Sequence, residues 1–424
     1  MGTRTTDEPE IYPVIKGADQ YSKVSYPLRY GHYSEIRTGE YVYQFNLEGE
    51  IKFIAGRNKD WPDPSEWLKR TVTNDWLYYS TGGYSGTMEY SGEYYVPYPQ
   101  YSTNSIFLNN PFNNEFVQSA VKSYDSLYEK IKELNINRFN SETRSLLKKI
   151  KRWSTEALKK KGSYLRKILG DRITVLPPDT RHVDYEVIPI VIADGCLYRC
   201  GFCALKSPKK FSLRSEKNIK EQVNGLIDFY GKDIKNFNSL FLAQHDALNA
   251  GIDLIEETTH YAIEIIGLGN SNIKGTNLFL FGSVGSLLKA SDDFFRRLNR
   301  LPCKTYINIG LESADEETLK LIKKDITAID VENTFIRMTE INRKFEHVEL
   351  TANFLYSGNL PENHYPSIFK MIDKYISKKQ LKGTAYFSPM LGSDRNETRG
   401  TKRKFYDIKR RLKVPSFLYL IQRL

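Results

Sequence analysis

The chain has 424 residues, 40% of them hydrophobic and 13% aromatic, which is enough for two or three domains with real cores and argues against wholesale disorder. Its formal net charge of +11 favours an acidic partner such as nucleic acid or anionic lipid, and bears on association rather than fold. Four cysteines, no apolar segment after the opening MGTRTTDEPE, and no run near the roughly 18 apolar residues of a membrane span point away from a disulfide-stapled secreted protein or a membrane-spanning one, and toward a cytoplasmic one.

Residues 1–112 read as a β-rich accessory module. Short strand-like runs such as EYVYQFNL and GEIKFIAG sit between turn residues, and helical periodicity is nearly absent. Trp61, Trp67, Trp76, Tyr78 and Tyr79 either fill a small β core, the commoner use of aromatic residues, or line a binding surface. The charge excess lies elsewhere: residues 1–100 hold 10 Lys and Arg against 14 Asp and Glu, whereas 142–167 hold 10 basic residues against Glu142 and Glu156. Residues 113–180 read as a basic helical connector, in which Leu146, Ile150, Trp153 and Ala157 mark one amphipathic helix with a solvated or anion-binding face.

After LPPD the pattern changes to strands alternating with helices. Strands are predicted at 185–193, 239–243, 277–281, 305–310, 348–356 and 383–389, with amphipathic helices such as NIKEQVNGLIDFYG, SDDFFRRLNRL and DEETLKLIKK between them. Six such repeats predict an α/β fold, a partial (βα)6 TIM-like barrel over 181–390, whose function lies at the carboxyl ends of its strands. A basic tail, 391–424, follows.

Directly after the first strand stands DGCLYRCGFCALK, with Cys196, Cys200 and Cys203 spaced Cys-x-x-x-Cys-x-x-Cys. A structural zinc site wants four ligands, and neither a second Cys-x-x-Cys nor a His-x-x-x-His is present. A thioredoxin-like pair needs two thiols only. An iron–sulfur cluster held by three thiolates, one iron left open, is the remaining reading. Cys303 stands apart and reads as a buried small hydrophobe.

The cysteine spacing, with Phe202 just before the third cysteine, resembles the signature of the radical S-adenosylmethionine (radical SAM) enzymes. Three further segments carry the resemblance. FLAQHDAL is similar to the family's second-strand segment that helps hold the methionine amino group, with Asp246 in the acidic place and Gln244-His245 departing from the usual pair. FGSVGS puts Ser283 and Ser286 where the family binds the methionine carboxylate. INIGLES resembles the GLES segment of the Elp3/MiaB/NifB-like branch, in which Glu312 would take the ribose hydroxyls.

The resemblance implies that the three cysteines hold a [4Fe-4S] cluster, that S-adenosylmethionine (SAM) chelates the open iron, and that its reductive cleavage yields a 5′-deoxyadenosyl radical that takes hydrogen from an organic substrate. It also implies a flavodoxin- or ferredoxin-like electron donor. Tyr198, Arg199 and Lys206 are loop neighbours without an assigned role. The substrate is not legible, and RNA and an anionic membrane both suit the basic segments. The alternative from another class is a non-catalytic adaptor whose cluster is structural and whose basic helix and tail bind RNA or membrane.

Overall fold

The computed structural model describes residues 8–21, 29–62, 66–80, 94–98, 110–173, 175–183, 186–198, 200–203, 210–390, 398–420 and 423–424. Arg199, Lys206 and the start of the tail, 391–397, lie outside them.

Seven antiparallel strands open the chain: β1 (Glu10–Lys16), β2 (His32–Arg37), β3 (Tyr41–Phe45), β4 (Ile51–Gly56), β5 (Glu66–Arg70), β6 (Trp76–Ser80) and β7 (Tyr94–Tyr98), paired in sequence order. Trp61, Trp67, Tyr78 and Tyr79 are buried, so these aromatic rings are core rather than surface. Three helices cross from this sheet toward the second one: α1 (Glu115–Glu133), α2 (Ser141–Ile150) and α3 (Thr155–Leu169).

The single helix expected through Leu146 and Ala157 is broken. The chain turns at 151–154, where Ser154 caps α3 by accepting from the Ala157 N–H and the Trp153 indole N–H donates to the Glu48 carbonyl at 2.9 Å. Cations of the basic run are engaged by the β module: Lys149 donates to the Leu47 carbonyl at 2.7 Å and Lys161 pairs with Glu50, while the exposed Arg152 pairs with Glu48 at 3.1 Å.

The second sheet is parallel throughout. Its strands β8 (Ile188–Val191), β11 (Ser239–Ala243), β12 (Asn277–Gly282), β13 (Lys304–Glu312), β14 (Val348–Tyr356), β15 (Ala385–Pro389) and β16 (Ser416–Leu418) are neighbours in chain order, while β9 (Ala193–Asp194) and β10 (Ser212–Leu213) form a separate antiparallel pair. Six strands match the sequence reading, and β16 in the tail is a seventh. Between and after them lie α4 (Glu216–Tyr230), α5 (Ile252–Ile266), α6 (Val284–Lys289), α7 (Asp292–Leu298), α8 (Glu316–Leu321), α9 (Ala328–Lys344), α10 (His364–Tyr375) and α11 (Thr398–Arg411).

Strands in sequence order with right-handed crossovers put every helix on one face, so the other face is covered only if the sheet curls on itself. Side-chain chemistry follows that division. The helix side carries Ile190, Leu240, Leu242, Leu278, Leu280, Ile307, Ile309, Leu350 and Phe387, all fully buried, and Phe387 meets Phe405 of α11 at 5.7 Å. By the strand register the opposite, inward face begins apolar, with Phe241, Phe279 and Phe281, and turns polar across the later strands with Asn308, Glu349, Thr351, Asn353 and Ser388. Phe405, Ile408, Leu412 and Leu418 bury the apolar side of the tail. Among the described residues no helix is long and apolar enough to cross a membrane.

The two sheets meet along a polar seam. Glu186, just before β8, accepts from Lys52 at 3.0 Å and pairs with Lys69 at 3.1 Å; Asn236 exchanges two hydrogen bonds with the His32 backbone, both 2.9 Å. A cleft of about 750 Å³, its open mouth included, lies beside these groups between Arg29, Phe53, Val183 and Phe237.

Candidate active site at the carboxyl edge of the parallel sheet

The cysteine loop leaves β8 and returns through β10, and its two ends are tied together. Ser212 and Leu213 pair with Asp194 and Ala193, and Arg214 donates through Nη2 to Asp194 Oδ1 at 2.8 Å. Gly195 opens the loop at φ +77°, in the left-handed region where a Cβ is penalised. Gly201 lies flat against the turn after α8, its N–H donating to the Ile322 carbonyl at 2.7 Å; a Cβ there would stand 3.0 Å from that oxygen.

Cys196, Cys200 and Cys203 are all half-buried, and each acts electrostatically on the others. Burial pushes the Cys200 thiol up to about 11; Glu312 and the two neighbouring cysteines push the same way, while the Lys324 ammonium opposes them. Burial also raises Cys196, with Asp246 and Cys203 adding to the rise. Among the described residues no group of three or more His, Cys, Asp or Glu side chains is placed to hold one metal ion. Cys196 and Cys200, whose thiols burial holds protonated, form with Cys203 a donor set for a cation-rich centre, where metal bonding replaces the proton. They fit a [4Fe-4S] cluster, in which each sulfur meets a different iron. Cys303 is buried far along the chain, its thiol pushed up to about 12 by burial.

The next strand ends supply an acid and hydroxyls. Asp246, 1% exposed, follows β11 and accepts from the Ser283 N–H at 3.1 Å, the Ser283 hydroxyl at 2.8 Å and the Ser286 hydroxyl at 2.7 Å. Ser283 and Ser286 also form the capping box of α6, which stabilises that helix start right after β12. Burial raises the Asp246 carboxyl and these hydrogen bonds oppose the rise. Gln244 and His245 do not join this cluster by any side-chain hydrogen bond among the described residues. His245 is half-buried, and burial lowers its imidazole while Asp171 raises it. Phe202 is half-buried against the main core.

Glu312 ends β13 in the left-handed region at φ +65°, a strained position for a residue with a side chain. Its carboxylate accepts from Lys324 Nζ at 3.3 Å and Asn353 Nδ2 at 3.2 Å. Lys324 and Tyr198 are the neighbours that the sequence reading leaves without a role. Lys323 turns at φ +53° after α8, and Lys324, 8% exposed, faces Gly310, Glu312 and, at 5.9 Å, the Tyr198 ring. Tyr198 crosses to α6, its hydroxyl accepting from the Gly285 N–H at 3.1 Å. The available signal was the doubled lysine after Ile322, which helical periodicity alone leaves on the surface.

Residues 190–348 match the family model of the Radical SAM superfamily. That match spans less than half of the chain. Members of the superfamily are enzymes that work with a [4Fe-4S] cluster and S-adenosylmethionine, and their chemistry needs a reductant. No curated protein matches the sequence. Among solved structures the chain is similar to a radical SAM methyltransferase from Sphaerobacter thermophilus, at 10% identity and TM-score 0.36, over 55% of this chain and 65% of that one. It spans just under two thirds of that enzyme. It is also similar to methylornithine synthase, at 11% identity and TM-score 0.33, over 69% and 85%, and to Streptococcus suis SuiB bound to its precursor peptide, at 12% identity and TM-score 0.38, over 84% and 72%.

Proposed function

We propose that this chain is a radical SAM enzyme in which Cys196, Cys200 and Cys203 hold the cluster and the following strand ends hold SAM. One observation carries the reading: the cysteine loop, the Asp246–Ser283–Ser286 cluster and the Glu312–Lys324 pair stand at the carboxyl ends of four successive parallel strands. When bound, the cluster supplies the electron for reductive cleavage of the sulfur–C5′ bond of SAM, and hydrogen is then taken from substrate.

Asp246 and the Ser283 and Ser286 hydroxyls would hold the polar methionine end of SAM. Glu312, held by Asn353 and Lys324, presents its carboxylate to the ribose hydroxyls. Phe202, packed against the core, would help exclude water from the cofactor. The GLES segment alone supports the finer placement in the Elp3/MiaB/NifB-like branch. The test is anaerobic reconstitution with iron and sulfide, reduction with dithionite, and assay for 5′-deoxyadenosine and methionine from SAM. Their formation supports the reading, and their absence from a protein that binds four irons overturns it.

A further inference from the structure

Beside the ion pairs of the seam the two sheets leave an opening. This cleft, about 750 Å³ with its mouth included, has one wall from β2, β3 and β4 and the other from the segments that lead into β8, β11 and β12. It therefore lies at the amino ends of the parallel strands. Strand β11 alone, five residues at about 3.3 Å each, puts about 17 Å between the cleft and the segment that carries Asp246.

Rings dominate the lining. Tyr21 and Tyr30 meet at 5.1 Å between centroids, Tyr33 and Phe53 belong to the antiparallel sheet, and Phe237 and Ile273 line the wall from the parallel sheet. Tyr21, Tyr30, Tyr33 and Ile273 are half-buried and none of them packs into the hydrophobic cores, so they border an opening rather than fill an interior. The lining charges, two cations and two carboxylates, are already engaged. Lys52 donates to Glu186 at 3.0 Å, and Asp233 accepts from Asn46 at 3.1 Å, Asn236 at 2.8 Å and the Leu47 N–H at 3.2 Å. The Arg29 guanidinium lies 4.3 Å from the Phe53 ring centroid and 4.1 Å from that of Trp67, and its Nε donates to Gln44 at 3.0 Å. By contrast, the Tyr33 hydroxyl makes no hydrogen bond among the described residues, and burial pushes its ionisation up, which keeps it a neutral donor and acceptor.

We propose that this cleft is a binding site for a small uncharged aromatic molecule, held by the rings of Tyr30, Tyr33, Phe53 and Phe237 and by a hydrogen bond with the Tyr33 hydroxyl. A charged ligand would give up its hydration and meet only charges that are already paired, whereas an aromatic ring gains offset and edge contacts with the lining. A saturated molecule of the same size buries similar area and forgoes those contacts. The ligand is an effector and not the molecule that loses hydrogen, because it sits at the opposite end of the strands from Cys196, Asp246 and Glu312. Touching both sheets, it stabilises the folded chain across the seam.

The experiment is calorimetric titration of the full chain with three bicyclic probes of matched size: 2-naphthol, its saturated counterpart 2-decalol, and the anion 2-naphthoate. Saturable one-to-one binding of 2-naphthol, about tenfold tighter than either of the others, supports the site. Ile273→Phe places a ring in the cleft from a partly exposed loop position and abolishes that binding, and Tyr33→Phe weakens it about fivefold by removing one hydrogen bond. No binding by wild type, or 2-decalol or 2-naphthoate bound as tightly as 2-naphthol, would overturn the proposal. So would wild-type affinity for 2-naphthol in Ile273→Phe or, where that chain does not fold, in Tyr33→Phe, because the probe would then lie elsewhere. Neither SAM nor reductant enters this measurement, so its failure is separate from a failure of SAM cleavage.

Discussion

The seam between the two sheets and the interior of the parallel sheet both bury charge, and they treat it in opposite ways. At the seam Glu186 sits between Lys52 and Lys69, Glu50 lies between Arg70 at 3.0 Å and Lys161, and Asp233 is held by Asn46, Asn236 and the Leu47 N–H. Inside the barrel Asp179 receives hydroxyl hydrogen bonds only, and Arg181 receives ring faces. A closed network holds two sheets together.

The largest expected effect lies at the barrel's carboxyl edge. Cys200→Ala removes one of the three proposed cluster ligands, and iron content, the cluster's visible absorption and 5′-deoxyadenosine formation are expected to fall to background. The same protein keeps its melting transition near that of the unreconstituted wild type, because the seam and cores are untouched. Retention of full SAM cleavage would remove the site assignment.

Next comes the seam itself. Glu186→Gln leaves Lys52 and Lys69 without their shared anion and lowers unfolding free energy by about 2 kcal/mol in chemical denaturation, at the lower end for broken buried pairs because Glu186 keeps 23% side-chain exposure. Burial pushes the Glu186 carboxyl up, and the two lysines more than overcome it, holding it at about 2 against an ordinary 4.5. Its contribution is therefore present above pH 4.5 and fades as pH falls toward 2. The Gln variant lacks that part of the acid-induced loss.

Asp179 predicts the reverse sign, confined to its own pH window. Its folded value, about 7, lies above the ordinary 3.8, so the folded chain binds a proton that the unfolded chain has lost between those limits. Stability from this group falls as pH rises from 3.8 to 7, and Asp179→Asn flattens the slope in that window. A slope unchanged by the substitution would mean that Asp179 titrates normally. The smallest effect belongs to the exposed Lys220–Glu216 pair on α4, whose replacement by alanine at Lys220 leaves the denaturation midpoint within error.

Much of this architecture was legible because short strand-like runs alternate with amphipathic helices; SLFLA, buried on both faces, coincides with β11, and VELTANFLY, apolar at alternate positions, with β14. The strand β16 was not, since Ser416–Leu418 is three residues long inside a basic tail, too short for any period. The connector misled for the opposite reason. Its apolar spacing continues through Trp153, but Ser154 offers a cap that the periodicity does not weigh. At the site, the family resemblance of FLAQHDAL and FGSVGS singles out Asp246, Ser283 and Ser286, and the structure joins them by hydrogen bonds. Lys324 and Arg181 stayed hidden, because a lysine or arginine beside a turn looks solvated until the turn is seen to aim it inward.

The central claim concerns three sulfurs and one open iron, and electron paramagnetic resonance of the reduced, reconstituted protein tests it most directly. The account predicts a reduced [4Fe-4S] signal whose g-values move when SAM is added, and loss of that signal in Cys200→Ala. A signal identical with and without SAM, or a preparation that holds a single zinc ion in place of the cluster, would contradict it.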